Sequence, residues 1–178
     1  RFFSGDYRLL AAYGANRSGK TQALWCLCLC KWLRDYAQDG DLYWLVTTDF
    51  QAMIQGPMKW LWEWLPRDMF GRREYRDHDG FGFHKSMSLI LPDKRGKITL
   101  QFKTEEQPIQ QYERVPIHGA AWTEASRGAI LDALLARTTD YQGFLLLDYV
   151  PTEYWHLKRI KEARNPKWHA IGFAMADN

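Results

Sequence analysis

The chain lacks the features that would anchor it in a membrane, cross-link it or string it out. No apolar run approaches the length of a membrane span, about 20 residues. The opening residues do not have the basic, apolar and small-residue order of a secretory leader. The first residue is Arg1 rather than Met, so the start is expected to be a boundary, not a native initiation point. No internal repeat and no low-complexity linker is present, and 178 residues suffice for one well-buried domain spanning 1–178. Cysteine is scarce: Cys26, Cys28 and Cys30 alternate within one apolar run. That spacing is not C-x-x-C and no histidine lies nearby, which excludes a thiolate metal site and leaves buried thiols on a helix in a reducing compartment. Charge of one sign is also weak. A formal charge of +3 permits a nucleic-acid partner without arguing for one.

What the chain does have is apolar and aromatic bulk. Hydrophobic residues make up 46% and aromatic residues 15%, enough to fill a core and to exclude disorder. Of the nine tryptophans, Trp60, Trp62 and Trp64 cluster just before Pro66. They read as a packed or partner-covered helix rather than a base-stacking platform, because apolar surface mostly finds core. The densest basic cluster is Arg67, Arg72, Arg73 and Arg76. It is either a solvated loop or a contact to DNA phosphates or a neighbouring subunit.

Periodicity predicts strands at 8–13, 42–47, 117–123, 143–150 and 168–175. It predicts helices at 20–37, 51–65, 128–138 and 153–164. The charged, glycine-rich stretch 67–97 reads as loops, with a hairpin pairing 88–91 with 97–103. Strands alternating with helices imply an α/β fold, a mostly parallel sheet covered on both faces, with ligands at the carboxyl ends of the strands.

Gly14-Ala15-Asn16-Arg17-Ser18-Gly19-Lys20-Thr21 satisfies G-x-x-x-x-G-K-[ST]. A chance match in a chain of this length has a probability of about one per cent or less. The motif follows a predicted strand and opens a predicted helix, as its mechanism requires. The glycines let successive amides turn inward around a phosphate, and the helix N-terminus adds free donors and a partial positive charge. Lys20 suits the β- and γ-phosphates, and the Thr21 hydroxyl suits Mg²⁺. Arg17 is charged where many such loops are not. It either stabilises the γ-phosphate in cis or pairs with a neighbouring carboxylate. Hydrolysis also needs a carboxylate at the end of another strand, and Ala120-Ala121-Trp122-Thr123-Glu124 offers Glu124. The residue before it is Thr123 rather than an aspartate. A hydroxyl carries no charge to offset a cation, so a weaker hold on Mg²⁺ is expected from that position.

Taken in order, these segments resemble the ATPase domain of large terminase subunits, the genome-packaging motors of tailed bacteriophages. The run ending Gly-Ala-Asn-Arg-Ser-Gly-Lys-Thr is similar to the family's phosphate loop with its internal arginine. Val46-Thr47-Thr48 with Leu65-Pro66 resembles the second strand and the end of its helix. Ile-Thr-Leu-Gln-Phe-Lys-Thr-Glu-Glu-Gln, ending at Gln107, resembles the family's F-K-S-x-x-Q segment. Gly-Phe-Leu-Leu-Leu-Asp-Tyr-Val-Pro, ending at Pro151, resembles the strand of the coupling motif. Asp177-Asn178 resembles the opening of the family's next segment.

The resemblance implies a P-loop NTPase fold of the ASCE/RecA-like type, a three-layer sandwich whose 143–150 strand lies between the phosphate-loop strand and the 117–123 strand. It implies ATP and Mg²⁺ as ligands, with Gly14 to Thr21 holding the nucleotide. Glu124, Arg17 and Lys20 would be catalytic, and Thr21 and Glu124 would stand at the metal. Asp148, Val150 and Pro151 would occupy the coupling motif, where Asp148 and Val150 replace the usual hydroxyl residues. It further implies double-stranded DNA, a portal and a small terminase subunit as partners, and a ring homo-oligomer during packaging in the host cytoplasm, with no membrane. The isolated piece is expected to be monomeric. The family's lid subdomain and nuclease would follow Asn178, so no nuclease activity is expected of 1–178. Two other readings fit the loop: another P-loop NTPase such as a helicase or nucleotide kinase, and a nucleotide-binding assembly module with little hydrolysis, which Thr123 favours.

Overall fold

A computed structural model describes residues 8–15, 17–82, 84–151 and 155–173. Asn16, Glu153, the end of the last predicted strand and Asp177-Asn178 lie outside these.

The central strands are continuous apolar runs, and such runs have no polar face to leave in water. Strand β1 (Leu9–Gly14) is buried at every position but Tyr13. Strands β2 (Leu42–Thr47), β5 (Gly119–Trp122) and β6 (Phe144–Tyr149) are equally covered. With β3 (Ser86–Ile90), β4 (Lys97–Thr104) and β7 (Trp168–Phe173) they form one seven-stranded sheet, ordered β3-β4-β2-β5-β6-β1-β7. Every pairing is parallel except β3 with β4. The expected hairpin and the expected position of β6 between β1 and β5 are both present. Strand β3, at the edge, alternates exposed and buried residues, as a strand covered on one face must.

Because side chains alternate along a strand, the sheet sorts its residues into two cores. On one face, Leu10, Leu45, Phe102 and Leu146 pack against Leu24, Trp25, Leu29, Met53, Met58 and Leu61. These come from two helices, 20–35 and 50–64. On the other face, Leu9, Trp44, Val46, Leu145 and Leu147 meet Ile130 and Leu134 of the helix Gly128–Arg137, and Ile160 of the helix Trp155–Glu162. The result is the three-layer α/β sandwich that the alternation implied. Cys26 and Cys30 are buried and Cys28 half-buried. Burial, with Glu63 nearby, pushes the Cys26 thiol up to about 11, so it behaves as an inert apolar side chain. No helix among the described residues is long and apolar enough to cross a membrane.

The helix 50–64 starts at Asp49, whose carboxylate accepts the Ala52 amide at 2.8 Å. It carries Pro57 within a wide turn, Ile54–Met58. Proline has no N–H to give, so the turn loosens there, and the Tyr75 hydroxyl donates to the Ile54 carbonyl at 3.1 Å. The helix stops where Leu65 turns extended before Pro66. The stretch that follows is more ordered than its charge and glycine content suggested. Trp62, Phe70, Tyr75 and Phe81 form a ring cluster, with centroids 5.1 to 6.1 Å apart. Trp60 and Trp62 pack on the core, while Trp64 is 42% exposed.

Gly143, just before β6, is required by a close approach. A Cβ there would lie 2.5 Å from the His118 carbonyl oxygen. Gly143→Ala is therefore expected to cost about 1–3 kcal/mol of stability, read from denaturant unfolding, because backbone cannot move aside as a flexible side chain can. An unchanged midpoint would show that β5 and β6 are less tightly coupled than this.

Candidate functional site

The phosphate loop follows β1 directly and delivers the chain into the helix at Lys20. Arg17 has φ 62° and Gly19 φ 82°. The left-handed turn at Gly19 is strained for any residue with a Cβ, so the second glycine of the motif is a backbone requirement. Lys20 is only 6% exposed, and its ammonium donates to the Ala15 carbonyl at 3.1 Å. The Ser18 hydroxyl is buried without a hydrogen-bond partner among the described residues. Arg17 is exposed and makes no ion pair among the described residues. Beside the loop, Arg17 to Gln22, Trp60, Glu63 and Trp64 line an open hollow of about 350 Å³. A similar hollow of about 370 Å³, lined by Arg8, Thr138, Gly143 and Trp168 among others, lies at the amino ends of β1 and β6. Lys167 also lines it, but ligands of open α/β sheets bind at the opposite, carboxyl edge.

The acidic corner is built at the carboxyl ends of β5 and β6. Trp122 is in register with Leu147, and Ala12 of β1 with Asp148. Thr123 is thus the neighbour of Asp148, and Asp148 stands one strand from the root of the phosphate loop. Asp148 is 0% exposed. Its Oδ1 accepts the Thr123 hydroxyl at 3.3 Å and the Glu124 amide at 3.2 Å. Its Oδ2 is buried and has no hydrogen-bond partner among the described residues. Burial pushes this carboxyl up to about 6, against the pull of the Glu124 amide, the Thr21 and Thr123 hydroxyls and the Lys20 ammonium. Glu124 is exposed and has φ 56°, a left-handed conformation uncommon outside glycine. Two bonds hold the backbone there: the Glu124 amide to Asp148 Oδ1, and the Ala125 amide to the Asp148 carbonyl at 2.9 Å.

A second carboxylate supports the same turn from the far side. Glu105, at the end of β4, is buried. Its Oε1 accepts the Trp122 indole at 2.8 Å and the Ser126 amide at 3.1 Å, and its Oε2 accepts the Ser126 hydroxyl. The Arg127 guanidinium donates to the Glu105 carbonyl. Glu105 belongs to the Phe-Lys-Thr-Glu-Glu-Gln segment, and the fold explains its spacing: β4 ends two strands from β5, close enough to brace residues 122–127.

The structure brings Lys20, Thr21, Thr123, Glu124 and Asp148 to one edge, with Val150 half-buried and Pro151 exposed just beyond Asp148. Sequence reasoning treated Asp148 only as a departure in the coupling motif. The signal that would have found it is a lone acid closing the apolar run Phe-Leu-Leu-Leu. The basic cluster divides: Arg67 lies over the Trp62 ring at 3.8 Å and bonds the Trp62 carbonyl, whereas Arg72, Arg73 and Arg76 are exposed, with Arg76 3.9 Å from Asp79. The oxygens at the edge suit a hard cation: the Thr21 hydroxyl and an unpartnered, buried carboxylate oxygen stand beside a phosphate loop, a donor set in which Mg²⁺ is ordinarily held with few protein ligands and the substrate's phosphates.

A mostly parallel sheet with a glycine-lysine-threonine loop at the end of an interior strand defines the P-loop class of α/β domains. No family model matches the chain, and no curated protein matches it by sequence. Solved structures do match. The large terminase of the thermophilic bacteriophage D6E, in complex with ADP, superposes with a TM-score of 0.75 at 13% identity, over 97% of this chain and 42% of that one. Another crystal form of it gives 0.72 at 15% identity. The large terminase ATPase domain of Thermus phage P74-26 gives 0.67 at 12% identity, over 94% and 76% of the two chains. The chain thus has the fold of the large terminase ATPase domain, and it spans 42% of the length of the D6E protein.

Glu105→Ala is expected to destabilise the domain by about 1.5–3 kcal/mol, since it orphans the Trp122 indole and the Ser126 amide in the interior. Equilibrium unfolding checks this. A change below half a kilocalorie, roughly the scatter of surface substitutions, would mean the brace is dispensable.

Proposed function

We propose that this chain is the ATP-binding and ATP-hydrolysing core of a viral large terminase, which drives double-stranded DNA into a procapsid. One observation carries the reading. A phosphate-loop sequence at the end of β1 shares the carboxyl edge of the sheet with Glu124, an exposed carboxylate held in a left-handed turn one strand beyond β6. A loop alone accounts for binding. A loop with a carboxylate at the same edge that solvent can reach accounts for hydrolysis.

In this reading the loop amides between Gly14 and Thr21 cradle the phosphates, and Lys20 turns from the Ala15 carbonyl to the phosphate oxygens. Mg²⁺, when bound with the nucleotide, supplies charge neutralisation at the phosphates, and Thr21 offers its hydroxyl to it. Glu124 accepts the proton of the attacking water. Arg17, exposed and free of a carboxylate partner among the described residues, reaches the γ-phosphate as an arginine finger in cis. Val150 and Pro151, leaving the sheet next to Asp148, carry the consequence of hydrolysis outward. DNA, a portal and a small terminase subunit are the partners of the assembled motor, a ring in the host cytoplasm, where each subunit's weak hold on the duplex adds up.

The test pairs two substitutions. Lys20→Ala should weaken binding of a non-hydrolysable ATP analogue about 10- to 100-fold, the worth of one charge-assisted contact. Glu124→Gln should keep that affinity while phosphate release falls about 10²- to 10⁴-fold. Wild-type affinity in the first variant would remove the phosphate-loop assignment, and wild-type turnover in the second would move the base elsewhere. A native chain that binds tightly and releases no phosphate would support a nucleotide-binding assembly module instead.

A further inference from the structure

Hydrolysis by a P-loop domain needs a carboxylate beside the base to hold the cation's water shell, and position 123, next to Glu124, carries a hydroxyl. The adjoining strand ends in a carboxylate that converges on the same spot. Asp148 Oδ1 lies 3.3 Å from Thr123 Oγ1, so the two side chains meet tip to tip across β5 and β6. Resting on the ATPase reading above, we propose that Asp148 supplies from β6 the metal-shell carboxylate that β5 lacks, with Thr123 as the residue that orients it. In this arrangement the acid stands at the end of β6, one strand over from the base, and a hydroxyl stands next to the base.

Three observations favour this over a structural acid. The two oxygens of Asp148 are used differently. Oδ1 accepts the Thr123 hydroxyl and the Glu124 amide, while Oδ2 is buried with no partner at hydrogen-bond distance among the described residues. An unpartnered carboxylate oxygen in the interior is costly, and a bound cation would offset that cost. The groups acting on Asp148 are also those of the nucleotide site. The Thr21 hydroxyl and the Lys20 ammonium both bear on it, and Thr21 is the loop residue suited to the cation. The third is position. Asp148 is in register with Ala12, two residues before Gly14, so its carboxyl stands beside the root of the phosphate loop rather than at the sheet's periphery. The same contact gives Thr123 a purpose: its hydroxyl donates to Oδ1 and leaves Oδ2 for the cation's side.

The experiment reads cation-dependent nucleotide binding, not turnover. Affinity for a non-hydrolysable ATP analogue is measured by calorimetry with Mg²⁺ and with EDTA. Thermal unfolding is followed in parallel as a folding control. In the native chain Mg²⁺ should tighten binding about tenfold or more, as one charge-assisted contact does. Asp148→Asn should keep the EDTA affinity and lose that tightening. The exchange Thr123→Asp with Asp148→Thr, which moves the acid to β5, should restore most of it. Retained tightening in a folded Asp148→Asn chain overturns the inference. So does an exchange variant that binds the analogue but ignores Mg²⁺, which decides the matter even if Asp148→Asn fails to fold. A native chain that binds the analogue in neither buffer refutes the phosphate-loop reading itself, an outcome distinct from the other two.

Discussion

The register of three parallel strands, β1, β6 and β5, determines what the site can be. In a parallel sheet all carboxyl ends emerge at one edge, and strands stand about 4.8 Å apart. Once Ala12 is paired with Asp148 and Leu147 with Trp122, the phosphate loop, the end of β6 and the Thr123-Glu124 corner share that edge. A slip of one residue would turn the carboxyl of Asp148 to the opposite face of the sheet and separate it from Thr123 and Glu124. The two cores resist such a slip, because Leu145 and Leu147 lie in one and Phe144 and Leu146 in the other.

On that frame, two buried carboxylates shape one exposed carboxylate. Asp148 holds the Glu124 amide from the β6 side, and Glu105 holds Trp122 and Ser126 from the β4 side. Glu124 stands between these anchors in a conformation that costs on the order of 1–3 kcal/mol for a residue with a side chain. Strain of that kind persists only where surrounding bonds over-determine it. The consequence is a carboxylate held by its backbone while its side chain stays in water.

Much of this was legible in the chain. The phosphate loop could be read because its chemistry is local: eight consecutive residues carry the glycines, the lysine and the hydroxyl, and the flanking apolar run and helix confirm the context. The central strands were legible because they are uninterrupted apolar runs, and the 42–47 strand has the same bounds in sequence and structure. The stretch 67–82 was less so. Its charged residues and glycines dominate composition, whereas Phe70, Tyr75 and Phe81 are spaced irregularly and are gathered only by the fold, against Trp62 and one another. Glu105 and Asp148 looked like one acid among many, since their meaning depends on which strand lies beside them.

The sequence by itself determined the α/β class, the phosphate loop and the glutamate that follows β5, since each rests on residues adjacent in the chain or on a period along it. Only the tertiary structure decided that Asp148 meets Thr123, that Glu105 braces the turn after β5, and that Arg17 stands free of a carboxylate among the described residues. The contacts of Asp148 and Glu105 join residues 17 to 25 positions apart. The physical reason is that a strand's period reveals which face a side chain takes, but not which strand will be its neighbour. Neighbours are chosen by how whole faces bury together, and that is a property of the folded sheet.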